Sequence, residues 1–218
     1  MNCLGAHGIV LTSDRDKTWI PNGQSTPWPK ILLPLRLGRA PIITYGYDAY
    51  VVRKPVAAQC NASSSPIIFV AHSLGGFVCK NAVLISRNNP EAHLRRTFDH
   101  TKGIIFMGTP HKGSWMADWA QLPALALGMV KSTNKSLLKI LETGDQFLES
   151  VQINFGNHLV RESRESGRRR EVACFFEELS LPGVGRVVSK ESATLEGYTS
   201  IRIQANHRDM IRFDSDEI

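Results

Sequence analysis

The sequence predicts an α/β protein built on a mostly parallel sheet flanked by helices, and two observations point to it. Apolar runs of strand length alternate with helical stretches from end to end, the rhythm of β-α-β units. Within that rhythm, residues 66–80 read P-I-I-F-V-A-H-S-L-G-G-F-V-C-K, a continuous apolar strand running into a serine at a sharp turn and then into a helix. That order of strand, turned serine and helix lifts a hydroxyl off the sheet edge, where a base can meet it and backbone N–H groups can receive an oxyanion. Ser73 is therefore the candidate nucleophile. The turn needs small residues where helix and strand crowd each other, and Ala71, Gly75 and Gly76 supply them. The usual G-x-S-x-G is here A-H-S-L-G, a difference of one methyl group.

The elements follow in order. Residues 42–47 form the first strand candidate. The connection at 48–65 must then cross over to a parallel neighbour, yet it is short and carries Pro55, so it holds at best a broken helix. Residues 67–71 are a continuous apolar run of the kind a parallel sheet buries on both faces, and 76–86 continue it as a helix. Residues 103–107, 172–176 and 201–205 are the remaining strands. Between the first and second of these lies a helical insertion, 115–141 followed by 145–164. At about 114–170 it is placed to act as a lid over a pocket. Residues 210–214 begin a last helix. With 218 residues and no repeat or low-complexity tract, the expectation is a single domain, 1–218, with its own core.

Composition excludes several classes. The apolar runs at 31–37 and 122–130 are interrupted by Pro34 and Pro123 and fall well short of a bilayer span. The first residues have neither a basic start nor a cleavage site, so a secretory signal is not expected. Cys3, Cys60, Cys79 and Cys174 are scattered without metal-ligand spacing, which reads as free thiols in a reducing compartment with no metal site and no cofactor. The net charge of +6 owes much to the five arginines within 161–170. They read as a solvated helix end and loop, or alternatively as a patch for anionic lipid headgroups. No aromatic residues interleave with them, so nucleic acid is not an expected partner.

Seven segments, in one order along nearly the whole chain, carry a resemblance: His7-Gly8, K-T-W at 17–19, W-P at 28–29 with L-L-P at 32–34, T-Y-G-Y-D-A at 44–49, H-S-L-G-G at 72–76, G-I-I-F-M-G-T-P-H-K-G-S at 103–114 and A-N-H-R-D-M at 205–210. The chain resembles the lipase-like serine esterase family of α/β-hydrolases, in particular fungal members related to the serine active site containing protein. The resemblance implies an α/β-hydrolase fold, here without the strands before His7-Gly8, with a missing or short crossover helix after Asp48 and a missing or short closing helix after His207. The first strand, 42–47, would then be an exposed sheet edge. It also implies a place at mitochondrial or endoplasmic reticulum membranes, for which the chain shows no address.

Roles can be assigned along this pattern. The fold's order is serine, acid, histidine, and His207, just after the last strand, is the base. The acid is Glu177, where the strand at 172–176 ends, with Glu191 and Glu178 as alternatives; Val184 stands where related lipases often carry an aspartate. The oxyanion donors expected are the N–H groups of Leu74 and of Ile9 in the His7-Gly8-Ile9 loop, where Val10 replaces a second glycine. His72 is expected to point away from the base and to pack or support the oxyanion loop. His111 reads as supporting the site, and His93, His100 and His158 as surface residues. Together these predict a serine hydrolase acting on a carboxylic ester, with resemblance suggesting a lipid ester and peripheral membrane contact. The rival is a catalytically impaired module of the same fold that binds a partner or a membrane surface.

Overall fold

The computed structural model describes residues 8–13, 19–37, 42–46, 66–112, 145–165 and 170–214. Its strands are β1 (Gly8–Ser13), β2 (Ile42–Gly46), β3 (Ile67–His72), β4 (Thr101–Met107), β5 (Glu171–Glu177) and β6 (Thr199–Ile203). Its helices are α1 (Trp28–Leu37), α2 (Gly75–Arg87), α3 (Ala92–His100) and α4 (Asp145–Glu165). The six strands form one sheet in the order β2-β1-β3-β4-β5-β6, and every pair is parallel. All carboxyl ends therefore lie along one edge, where loops carry function.

Side-chain alternation along β3 divides the core. Ile67, Phe69 and Ala71 pack with Phe77, Val83 and Leu84 of α2 and with Leu148, Val151, Phe155 and Leu159 of α4. Val70 belongs to a second cluster with Trp19, Met107, Met210 and Ile211, against which Trp28 and Leu33 of α1 pack. Two covered faces explain why β3, β4 and β5 are largely apolar rather than alternating, whereas β6 at the edge reads T-S-I-R-I and is largely exposed. The indole N–H of Trp28 donates to the carbonyl of Ile211 at 2.7 Å, tying α1 to the chain after β6. Parallel strands, helices on both faces and a turned serine leaving β3 make this an α/β-hydrolase fold.

Several expectations need correction. A strand, β1, does form at the His7-Gly8 segment and inserts between β2 and β3, although β2 still lies at the edge of the described sheet. The nine-residue helix α3 was not expected, because its sequence A-H-L-R-R-T-F-D-H is mostly polar and buries only Thr97 and Phe98. The expected last helix at 210–214 is a turn. The crossover at 48–65 and the lid-like stretch at 114–144 lie outside the described residues. The later part of the insertion, α4, packs into the core beside α2 and so flanks the sheet.

Arg170 is also not the solvated residue expected. It is buried, its guanidinium lies 3.9 Å from the centroid of the Phe98 ring, and it donates to the carbonyls of Phe98 (3.1 Å) and Thr101 (3.3 Å) at the end of α3. It thus reinforces the end of that helix, adding a donor to the Phe98 carbonyl, which also accepts from the Thr101 N–H of the cap. Removing the guanidinium would leave those carbonyls buried without it, so Arg170→Met is expected to lower stability by about 2–4 kcal/mol, read as a shifted urea midpoint at unchanged slope.

Candidate active site

The elbow begins at Ser73, the one non-glycine residue with positive φ (56°) among those described. A β-carbon in this region is strained, so the conformation persists only where neighbours enforce it. Here the Ser73 N–H donates to the Met107 carbonyl (3.0 Å) at the end of β4, and its carbonyl accepts from the Gly76 N–H (3.1 Å) and the Thr109 hydroxyl (3.1 Å). Helix α2 starts against the turn that follows β4. A Cβ on Gly76 would lie 2.1 Å from Cγ2 of Thr109, which accounts for the glycine.

His207 follows β6 in a turn held by its neighbours: the Asn206 carbonyl accepts from Asp209 and Met210, and the Asn206 side chain accepts from Arg208 and Asp209. The imidazole is buried. Its Nε2 lies 3.1 Å from Oγ of Ser73, and its Nδ1 lies 2.5 Å from Oε2 of Glu177. A carboxylate only accepts, so the proton sits on Nδ1 and the lone pair of Nε2 faces the serine hydroxyl. Glu177, 1% exposed at the end of β5, meets its other donors through Oε1, which accepts from the N–H groups of Val187 and Val188. The structure thus brings Ser73, His207 and Glu177 together. The other two candidate acids stay apart: Glu178 turns to Arg202 (3.5 Å), and Glu191 is exposed on a surface turn.

The oxyanion expectations divide. Leu74 directly follows Ser73, and no hydrogen bond among the described residues takes up its N–H. Ile9, however, lies within β1, paired with Ile42 and Ile68 rather than in a loop. Ile68 precedes Ser73 by five residues, about 16 Å at the usual rise of a strand, so the Ile9 N–H is at the wrong end of the sheet. Val184 sits in a tight turn closed by the Leu181–Gly185 bridge, and the place of the acid beside His207 is taken by Glu177.

His72 departs from expectation too. It does not turn away from the base: its ring centroid is 4.9 Å from that of His207, and its Nε2–H donates to the His207 carbonyl at 3.0 Å. Gly108 was also missed. Its φ is +56°, and a Cβ there would lie 2.7 Å from Cε1 and 2.8 Å from Nδ1 of His207. Behind α2, Lys80 is wholly buried beside His111, whose Nε2 lies 3.6 Å from Sγ of Cys174.

Burial pushes the His72 imidazole down to about 3, helped by the neighbouring His207 and opposed by the hydrogen bond it makes. Burial also holds His111 well below the ordinary histidine range, with Lys80 adding to the effect, and lowers Lys80 to about 7. The Cys79 thiol is pushed up to about 12 by burial, so it is no nucleophile at neutral pH.

The chain is similar to Protein SERAC1 of Bos taurus (28% identical over 150 residues) and of Mus musculus (29% over 150 residues), and the match covers 57% of this chain. It spans only 22% of the length of those relatives. The Danio rerio form is 26% identical over 131 residues, covering 50% of this chain and 20% of that protein. These relatives give no support to the narrower fungal placing. No family model matches. Among solved structures, similarity extends to Est816, described as an N-acyl homoserine lactone degrading enzyme (12% identity, TM-score 0.46, 94% of this chain and 88% of that one). It extends also to a lipase-esterase related protein from Clostridium acetobutylicum (8% identity, TM-score 0.47, 95% of this chain and 90% of that one).

Two outcomes follow from the geometry. Gly108→Ala puts a methyl group into the space of the His207 ring, and a displacement of about 1 Å costs on the order of 100-fold in reactivity, to be read as the rate of fluorophosphonate labelling at Ser73. For His72 and His111 the folded state disfavours the proton, so the unfolded chain binds more protons and stability rises with pH. Stability is therefore lost as pH falls from the unfolded value of about 6.5 toward the lower folded values. The thermal midpoint should drop by several degrees between pH 7 and 5, and His72→Asn, which cannot take up the proton, should drop less.

Proposed function

We propose that this chain is a serine hydrolase acting on carboxylic esters, with Ser73 as nucleophile, His207 as general base and Glu177 as the acid that orients it. One observation carries this reading: an unbroken line of hydrogen-bonding contacts from a strained, turned serine through a buried histidine to a buried carboxylate. In this reading Nε2 of His207 takes the proton from Oγ of Ser73 as the oxygen attacks the ester carbonyl, and Glu177 steadies the imidazolium. The Leu74 N–H receives charge on the carbonyl oxygen. His207 then returns the proton to the leaving alcohol, and water or a second alcohol resolves the acyl-enzyme by the same steps in reverse.

A non-catalytic module is the weaker reading: of the departures that favour it, Val10 lies within β1, Val184 lies in the Leu181–Gly185 turn, and the missing or short crossover helix falls at 48–65, outside the described residues, so none replaces Ser73, His207 or Glu177. Lipid esters are the narrower substrate class, and that reading rests on sequence resemblance, as does a place at intracellular membranes. No helix among the described residues is long and apolar enough to cross a membrane.

Fluorophosphonate labelling of the folded protein is expected to vanish in Ser73→Ala. Turnover of p-nitrophenyl esters should fall by about 10³–10⁴ in His207→Ala and Glu177→Gln. A folded wild-type chain that neither labels nor turns over would sink the proposal. A series of acyl lengths in the same assay tests the lipid reading, which expects kcat/KM to rise with chain length.

A further inference from the structure

Lys80 is an amine in an apolar place. It is fully buried, its Nζ lies 5.0, 5.1 and 5.9 Å from the ring centroids of Phe77, Phe106 and Phe155, and no carboxylate among the described residues pairs with it. Such burial is costly, and a methionine would fill the same volume without the cost. The nitrogen is instead committed to two contacts. It donates to Nδ1 of His111 at 2.8 Å and to Oε1 of Gln152 on α4 at 2.6 Å. The Gln152 amide in turn donates to the carbonyl of Pro110 at 2.8 Å. Two routes from one amine thus end on adjacent residues of the turn after β4.

That turn touches Ser73 and His207 and is tied to the loop that holds Glu177. Gly108, whose N–H donates to the Phe175 carbonyl at 2.8 Å, lies against the His207 ring. Thr109 donates to the Ser73 carbonyl. The His111 N–H donates to the carbonyl of Ser192, in the same loop whose Val187 and Val188 hold the Glu177 carboxylate.

We propose that Lys80 is a positioning residue: through His111 and through Gln152 it clamps the turn at 108–111, and this turn sets the backbone of Ser73 and the floor under His207. The catalytic part of this rests on the reading of Ser73 as nucleophile; the clamp itself does not. Burial lowers the amine to about 7, and its two hydrogen bonds need only the two N–H groups that the neutral form retains.

Lys80→Met and Gln152→Met, made in the full chain, test it by two readings. The first is amide hydrogen exchange by NMR. In Lys80→Met the Ser73 and Gly108 amides should exchange roughly tenfold faster or more, while Val70 within β3 keeps its wild-type rate. The second is steady-state turnover of p-nitrophenyl butyrate. Here kcat should fall roughly tenfold with KM unchanged, Gln152→Met should fall less, and the double variant should be no worse than Lys80→Met. Wild-type exchange at Ser73 and Gly108 in folded Lys80→Met would overturn the proposal, as would a rise in KM at unchanged kcat. Faster exchange in a protein whose wild type shows no turnover would support the clamp and remove the hydrolase reading instead. Should Lys80→Met fail to fold, the half-buried Gln152→Met decides by the same exchange measurement and the same split between kcat and KM.

Discussion

A carboxyl group sunk out of contact with water must be answered by donors, and the way Glu177 is answered fixes much of the molecule around it. One oxygen takes two successive backbone N–H groups from the loop after β5, and the other takes the imidazole of the turn after β6. Two connections that would otherwise be free to drift over the sheet edge are thereby held to one strand end. The loop needs further fastening, and gets it from its own tight turn at Leu181–Gly185 and from Ser192, whose hydroxyl donates to the Lys112 carbonyl at 2.9 Å. A buried acid is thus as much an organiser of loops as a partner for a base.

The opposite wall is built by close approach. Gly76 and Gly108 are two places where no side chain fits: at one, α2 rests on Thr109, and at the other the chain passes beneath His207. The strained φ of Ser73 is enforced from the same side, through the hydrogen bond to Met107. Strain at the nucleophile and crowding at the turn after β4 are two aspects of one contact.

Much of this is legible in the sequence, and the exceptions have physical reasons. Apolar runs mark β3, β4 and β5 because a parallel sheet covered on both faces asks for little that is polar, whereas β6, T-S-I-R-I at the edge, is largely exposed. The turned serine is legible because its small neighbours are required by sterics. Helix α3 is not, since a helix lying largely in solvent has only Phe98 to betray it. Choosing between Glu177 and Glu178 requires knowing which face the base occupies: alternation puts Glu177 with Phe175, toward the cluster of Trp19 and Met210, but only the folded turn after β6 shows that His207 waits there. Lys80 carried a signal that was passed over. It follows Phe77 by three residues and precedes Leu84 by four, on the stripe that helical periodicity assigns to the core. The Ile9 expectation failed because a glycine beside a histidine suits a loop, whereas the five residues after it, I-V-L-T-S, suit a strand.

Every strand pair in the sheet is parallel, so none can be closed by a hairpin, and β1 must take its place between two strands that both come later in the chain. The residues that meet at the serine are separated by 134 and 30 positions. A nascent chain therefore holds Ser73 long before it holds Glu177 or His207, and loop-closure entropy must be met before any of these contacts forms. The meeting of Ser73, His207 and Glu177 is consequently a late event in folding: it reports the arrival of the complete topology, whereas helix content can be high well before that.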